Sequence, residues 1–166
     1  MLRYTKKGIE SKERIGTLPL RMSNLLRYRG VNTPEEAERF LHPRLTDLLD
    51  PFSMPGMEKA VSIIRQAVRE PWGITIYGDY DVDGICATSI MLETLRDLGA
   101  QHIRPYIPSR HEEGYGLNAD AMELLAEESR LLLTVDCGIT NLDEVALAKK
   151  RGMTVIVTDH HQLAEK

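Results

Sequence analysis

The sequence predicts an α/β fold, a parallel sheet of at least four strands preceded by a helical lead-in. Three observations carry this. From residue 74 onward, short β-branched runs alternate with apolar-periodic helical segments joined by short loops, which implies parallel strands with right-handed crossovers. The run Leu131–Val135 is apolar without interruption, as in a strand buried on both faces. Before residue 57 there are helical patterns and no strand pattern. The organisation read from this is a basic arm and helical lead-in over 1–55, then an α/β segment over 56–166.

Residues 1–16 are polar and without period, and read as irregular. A helix follows from Pro19, with Met22, Leu25 and Leu26 on its inner side. Gly30 then Val31 reads as a C′ glycine with its apolar partner. Thr33, Pro34 and Glu36 spell a capping box with proline at the first helical position, and this second helix runs to Leu41 before His42-Pro43. Residues 43–56 hold three prolines and read as a connection. A third helix spans Met57 to Arg69, with Ala60, Ile63, Ile64, Ala67 and Val68 on one stripe.

Ile74–Tyr77 reads as the first strand. Ile85–Leu98 reads as a helix with Thr88, Met91, Leu92, Leu95 and Leu98 inward. His102–Ile107 is the second strand, and Asn118 caps a helix to Glu128. Leu131–Val135 is the third strand. Asn141 caps a helix with Glu144 three residues on, closed by Gly152, and Met153–Val157 is the fourth strand. The chain stops nine residues later with no helix after it, which reads as a fragment whose last strand is poorly covered.

Composition is that of a globular protein, 42% hydrophobic and 28% charged. No apolar run approaches the ~20 residues of a membrane span and no signal-peptide core is present, so cytoplasm is the expectation. Cys86 and Cys137 form no metal-type pair and read as small core residues. The net charge of −4 divides unevenly, +6 over residues 1–30 and −10 over the rest. A basic arm followed by an acidic body suits a polyanionic substrate over a metal-filled carboxylate site; the plain alternative is a solvated terminus.

Sites in open parallel sheets form at the carboxyl ends of strands. After the first strand come Asp79, Asp81 and Asp83, three like charges in five residues that call for a cation. After the second come Ser109, Arg110 and His111; after the third, Asp136; after the fourth, Asp159, His160 and His161. A lone aspartate would be an ordinary turn residue, but the joint occurrence points to a divalent-metal site, with the carboxylate excess favouring hard ions. An EF-hand reading of Asp79–Gly84 fails, because position twelve is Ile90 and a strand precedes the loop. A phosphatase reading with an aspartyl nucleophile in Asp81-Val82-Asp83-Gly84 leaves Asp159-His160-His161 without a role.

These motifs resemble the DHH phosphoesterase superfamily and, within it, the RecJ-type single-stranded-DNA exonucleases. Tyr77-Gly78-Asp79-Tyr80-Asp81-Val82-Asp83-Gly84 looks like their first motif, Thr134–Gly138 like the second, and Val157-Thr158-Asp159-His160-His161 like the third. Pro108–Leu117 is similar to a RecJ-type segment, as are Arg29-Gly30-Val31 and Asp50–Met57 in the lead-in. The resemblance implies a doubly wound parallel sheet in the order 2-1-3-4, with 56–166 the N-terminal part of a DHH catalytic domain. It further implies a hydrolase with two ions, Mn²⁺ or Mg²⁺, held by Asp81, Asp83, Asp136 and His160, with Asp136 as the bridge and Asp79 an outer or additional ligand. His161 would contact the scissile phosphate or the leaving group, and Asp159 would orient the histidine pair. It also implies single-stranded DNA as the partner, with a helicase or single-strand-binding protein in repair. Arg110 is the candidate phosphate contact and Tyr115 a candidate base-stacking residue, against the plain readings of a surface arginine and a loop anchor.

Two departures stand out. Tyr77 occupies the place of a metal-binding histidine found in many superfamily members. The family's fourth motif and second domain would lie beyond residue 166, so the chain is expected to bind metal weakly and to hydrolyse DNA poorly alone. The alternatives within and outside the superfamily are a phosphoesterase of small substrates such as nanoRNA, cyclic dinucleotides or pyrophosphate, and a non-catalytic binding module.

Overall fold

The computed structural model describes residues 11–163, so the basic positions before residue 11 lie outside it. The chain divides between Met54 and Pro55 into two compact units.

The first unit contains α1 (Leu20–Tyr28) and α2 (Pro34–Leu41), then two 3-10 turns, Leu45–Asp47 and Pro51–Ser53. The glycine at the end of α1 takes the expected left-handed conformation. The Gly30 N–H donates to Arg27 and the Val31 N–H to Leu26, which is a Schellman closure. The α2 capping box also forms, the Glu36 N–H donating to Thr33 Oγ1 and the Thr33 N–H to Glu36 Oε2. The inner side of α1 differs from expectation. Ser23 and Leu26 are buried, whereas Met22 and Leu25 are exposed. The small core of Ile15, Leu26, Val31 and Ala37 is reached by residues three apart, and buried Ser23 is satisfied there because its Oγ accepts the Ile15 N–H at 3.0 Å.

The second unit begins with α3 (Met57–Arg69) and continues β1 (Ile74–Tyr77), α4 (Val82–Asp97), β2 (Ile103–Tyr106), α5 (Ala119–Ala126), β3 (Leu131–Val135), α6 (Leu142–Lys150) and β4 (Thr154–Thr158). All pairings are parallel and the order is β2-β1-β3-β4. Alternation along the central strands feeds two cores. Ile74, Ile76, Leu131, Leu133 and Val135 pack with α3 and α4 residues on one face. Tyr77 and Leu132 pack with Met122 and Leu125 of α5 and Ala148 of α6 on the other. Every residue of β1 and β3 is buried, while the edge strand β4 is only partly covered.

Three local differences matter. The helix after β1 begins at Val82, three residues earlier than the periodicity suggests, because Asp81 is its N-cap and accepts the Gly84 N–H at 2.9 Å. Asp83 therefore lies in the first helical turn, not in a loop. At the other end Leu98 is 60% exposed, since the helix stops at Asp97 and Leu98 falls off its buried stripe. Cys137 is buried, but Cys86 is exposed on α4 and is no core residue.

Candidate metal centre

The carboxyl ends of β1, β3 and β4 meet on one rim. After β1 the chain turns sharply, and the start of α4 is pressed against Asp79. A Cβ on Gly84 would stand 2.6 Å from the Asp79 backbone nitrogen, so only glycine permits the approach. Asp79 is itself buried, and its carboxylate accepts the Tyr80 N–H at 2.7 Å. Burial pushes its pKa up, and the neighbouring charges of Asp81 and Asp136 act in the same direction.

Asp136, directly after β3, is the only described non-glycine residue with a positive φ, +61°. An L-residue in that region carries roughly 1–2 kcal/mol of strain. The position is held by its N–H, which donates to the Thr158 carbonyl on β4 at 3.0 Å. The strained backbone aims a carboxylate into the rim and leaves it incompletely satisfied. Asp136 Oδ1 is buried with no hydrogen-bond donor, although His160 Nε2 approaches it to 2.8 Å. That approach has ion-pair distance without hydrogen-bond alignment. A buried carboxylate oxygen with no donor is costly, and it has the chemistry of a cation ligand.

Two groups of side chains present ligand atoms mutually within 4.8 Å: Asp79 with Asp81 and Asp136, and Asp136 with His160 and His161. Asp136 belongs to both. Asp83 belongs to neither; from the first turn of α4 it lines an adjoining hollow with Ile90, Met91, Asp136 and His160. The structure thus brings Asp79 closer to the group than Asp83.

Asp159 sits behind the histidines with its side chain 1% exposed. Its Oδ1 accepts both the His161 N–H at 3.0 Å and His161 Nδ1 at 2.6 Å, and its Oδ2 accepts the Ile139 N–H at 3.0 Å. Burial opposes the charge, but these donors together hold the Asp159 pKa below the usual carboxylate value. The same hydrogen bond raises the pKa of His161. An ionised carboxylate only accepts, so His161 Nδ1 carries a proton and Nε2 is the nitrogen left for a ligand. Asp159 orients His161 alone; His160 leans on Asp136, its ring 4.5 Å from that of His161.

The β2 end supplies no ligand. Arg110 lies over the Tyr80 ring at 5.4 Å, and the Tyr115 hydroxyl is 3.3 Å from His161 Nδ1. The Tyr77 side chain turns away from the rim. Its hydroxyl donates to the Gly116 carbonyl at 3.0 Å and its ring stacks on Tyr106. Burial raises the pKa of that phenol, which keeps it a neutral donor rather than a metal ligand. Burial likewise pushes the Cys137 thiol up to about 12, so it stays unreactive. Sequence reasoning missed Glu113, whose carboxylate gathers donors from three segments; no spacing rule links it to them.

Residues 73–166 match the family model described as "DHH family, N-terminal domain". The chain belongs to the DHH family. It is 46% identical over 151 residues to the single-stranded-DNA-specific exonuclease RecJ of Bacillus subtilis, covering 90% of this chain and 19% of that protein. With RecJ of Escherichia coli it shares 37% over 145 residues, 87% of this chain and 24% of the relative. The chain thus spans about a fifth to a quarter of the length of these relatives. A crystal structure of RecJ in complex with Mn²⁺ from Thermus thermophilus superposes with a TM-score of 0.65 at 34% identity, over 85% of this chain and 19% of that one. Another, of exonuclease RecJ bound to manganese, gives 0.64 at 42% identity, over 68% of this chain and 29% of that one. Among the described residues no helix is long and apolar enough to cross a membrane.

Proposed function

We propose that this chain is the N-terminal catalytic portion of a metal-dependent 5′→3′ single-stranded-DNA exonuclease that hydrolyses phosphodiester bonds in DNA repair and recombination. The observation that carries the reading is Asp136, a strained, buried carboxylate shared by two ligand groups with one oxygen lacking a donor. The names and bound manganese of the similar proteins support the substrate class and the ion.

Asp81, Asp136 and His160 would hold the metal, with Asp79 joining them and Asp83 reaching in from α4. Two Mn²⁺ or Mg²⁺ ions held by these residues would supply a nucleophilic water at neutral pH and relief of charge on the leaving oxygen. His161, with Nδ1 fixed by Asp159, presents Nε2 to the scissile phosphate or the leaving group. Arg110, levelled against Tyr80, is placed for a phosphate of the strand. The same reading places the protein in the cytoplasm, with a helicase or a single-strand-binding protein as partners that expose or organise the strand.

The test is hydrolysis of 5′-labelled single-stranded and duplex DNA by the full-length protein with Mn²⁺, beside Asp136→Ala. The proposal expects degradation of single strands from the 5′ end and its loss in the variant. Equal degradation by the variant, or hydrolysis confined to dinucleotides, contradicts it.

A further inference from the structure

The segment 109–118 has no helix or strand of its own, yet side-chain bonds tie it at several points. Its hub is Glu113, half-buried. Glu113 Oε1 accepts the Ser109 N–H at 2.7 Å, and Oε2 accepts the Tyr106 hydroxyl at 2.5 Å and the Asn118 amide at 2.9 Å. One carboxylate therefore joins the end of β2, the start of the loop and the cap of α5, since Asn118 Oδ1 also accepts the Ala121 N–H. Burial disfavours the charged Glu113, but the Ser109, Tyr106 and Asn118 donors outweigh it and hold its pKa below the usual value.

The far end of the loop is held separately. The Tyr77 hydroxyl donates to the Gly116 carbonyl, and Asn141 Nδ2 donates to the Leu117 carbonyl at 3.3 Å. Gly116 has φ +83° and packs so closely on Asn141 that a Cβ would meet its Oδ1 at 2.6 Å. Between the two anchors stands Tyr115, its ring edge-on to His161 with centroids 6.0 Å apart. With Nδ1–H already donated to Asp159, the Tyr115 hydroxyl adds at most a second acceptor to that proton. Its larger contribution is as a wall against which the imidazole rests.

We propose that Glu113 is a positioning residue, whose three accepted hydrogen bonds hold the 109–118 loop so that Tyr115 buttresses His161. The inference rests on the exonuclease reading for its kinetic consequence and on the loop geometry for its structural one. Glu113 touches neither the ligand groups nor His161; it acts through the loop.

The experiment compares Glu113→Ala, Glu113→Gln, Tyr115→Ala and the Glu113→Ala/Tyr115→Ala double variant in the full-length protein. Amide hydrogen exchange by mass spectrometry is read without DNA, and hydrolysis of single strands is read with Mn²⁺. In Glu113→Ala, exchange over 109–118 should rise about tenfold or more while β1 and β3 stay protected. Its kcat should fall about 10- to 100-fold, as for a misplaced reacting group, at unchanged Mn²⁺ affinity. Glu113→Gln, which keeps an acceptor for the Ser109 N–H, should fall between. The double variant should be no slower than the slower single variant, because both act on one contact. Unchanged exchange in both Glu113 variants overturns the inference, as do losses that multiply in the double variant. If the wild-type protein hydrolyses no DNA, the exonuclease reading fails, and the exchange comparison still decides whether Glu113 holds the loop. If Glu113→Ala does not fold, Glu113→Gln gives the same comparison.

Discussion

Asp81, after β1, and Asp136, after β3, are the same chemical group held in opposite ways. Asp81 is exposed, and its side chain caps α4 by accepting a backbone N–H. It would help the fold whether or not a metal were ever bound. Asp136 is buried, takes a left-handed φ and carries an oxygen without a donor. Its N–H is satisfied by the Thr158 carbonyl, but the left-handed turn and the donorless oxygen both cost stability. The contrast teaches that one candidate ligand can be recruited from structure already needed, while the candidate shared by both groups is held at a cost in stability.

The largest effect that sharpens this comparison is at Asp136. In Asp136→Gly, hydrolysis should fall at least about 100-fold, beyond what groups that merely support ligands show. Stability without metal should hold, or rise by up to about 1 kcal/mol as the strain is relieved. A loss of more than about 1 kcal/mol of metal-free stability, read by denaturant unfolding, would contradict this. Asp81 should behave in the reverse manner. Asp81→Ala should lose about 1 kcal/mol of metal-free stability with its cap, whereas Asp81→Asn, still a good cap, should retain it. Equal stability in the two variants would mean the cap contributes nothing.

The smallest effect is at Glu113. Its folded pKa is depressed, so its contribution is present above the unfolded value of about 4.3 and is lost as pH falls through the folded value. Between those pH values Glu113→Gln should flatten the decline of the thermal midpoint, and identical acid limbs for variant and wild type would contradict it.

Much of this architecture is legible in the residues. Short β-branched and apolar runs locate all four strands, and the strand-end rule points to one rim. The buried β3 run and the α2 capping box are equally plain, because each depends on neighbours in sequence. What escapes depends on packing. The start of α4 decides which of three alternating carboxylates faces inward, and Asp81 acting as its cap moves Asp83 onto the helix and leaves Asp79 beneath it. A run of i, i+2, i+4 aspartates cannot reveal where a strand period gives way to a helical one. The unpaired state of Asp136 and the convergence on Glu113 draw on partners from several segments, and no local pattern records them.

In the proposed exonuclease site Asp136, common to both candidate ligand groups, would hold two metal ions, and Asp81 one of them. The most direct measurement is the number of Mn²⁺ ions bound by the full-length protein, by calorimetric titration, in the wild type, Asp81→Asn and Asp136→Asn. The account predicts two ions in the wild type, one retained tightly in Asp81→Asn and neither retained tightly in Asp136→Asn. Two tightly bound ions in Asp136→Asn, at wild-type affinity, would contradict it.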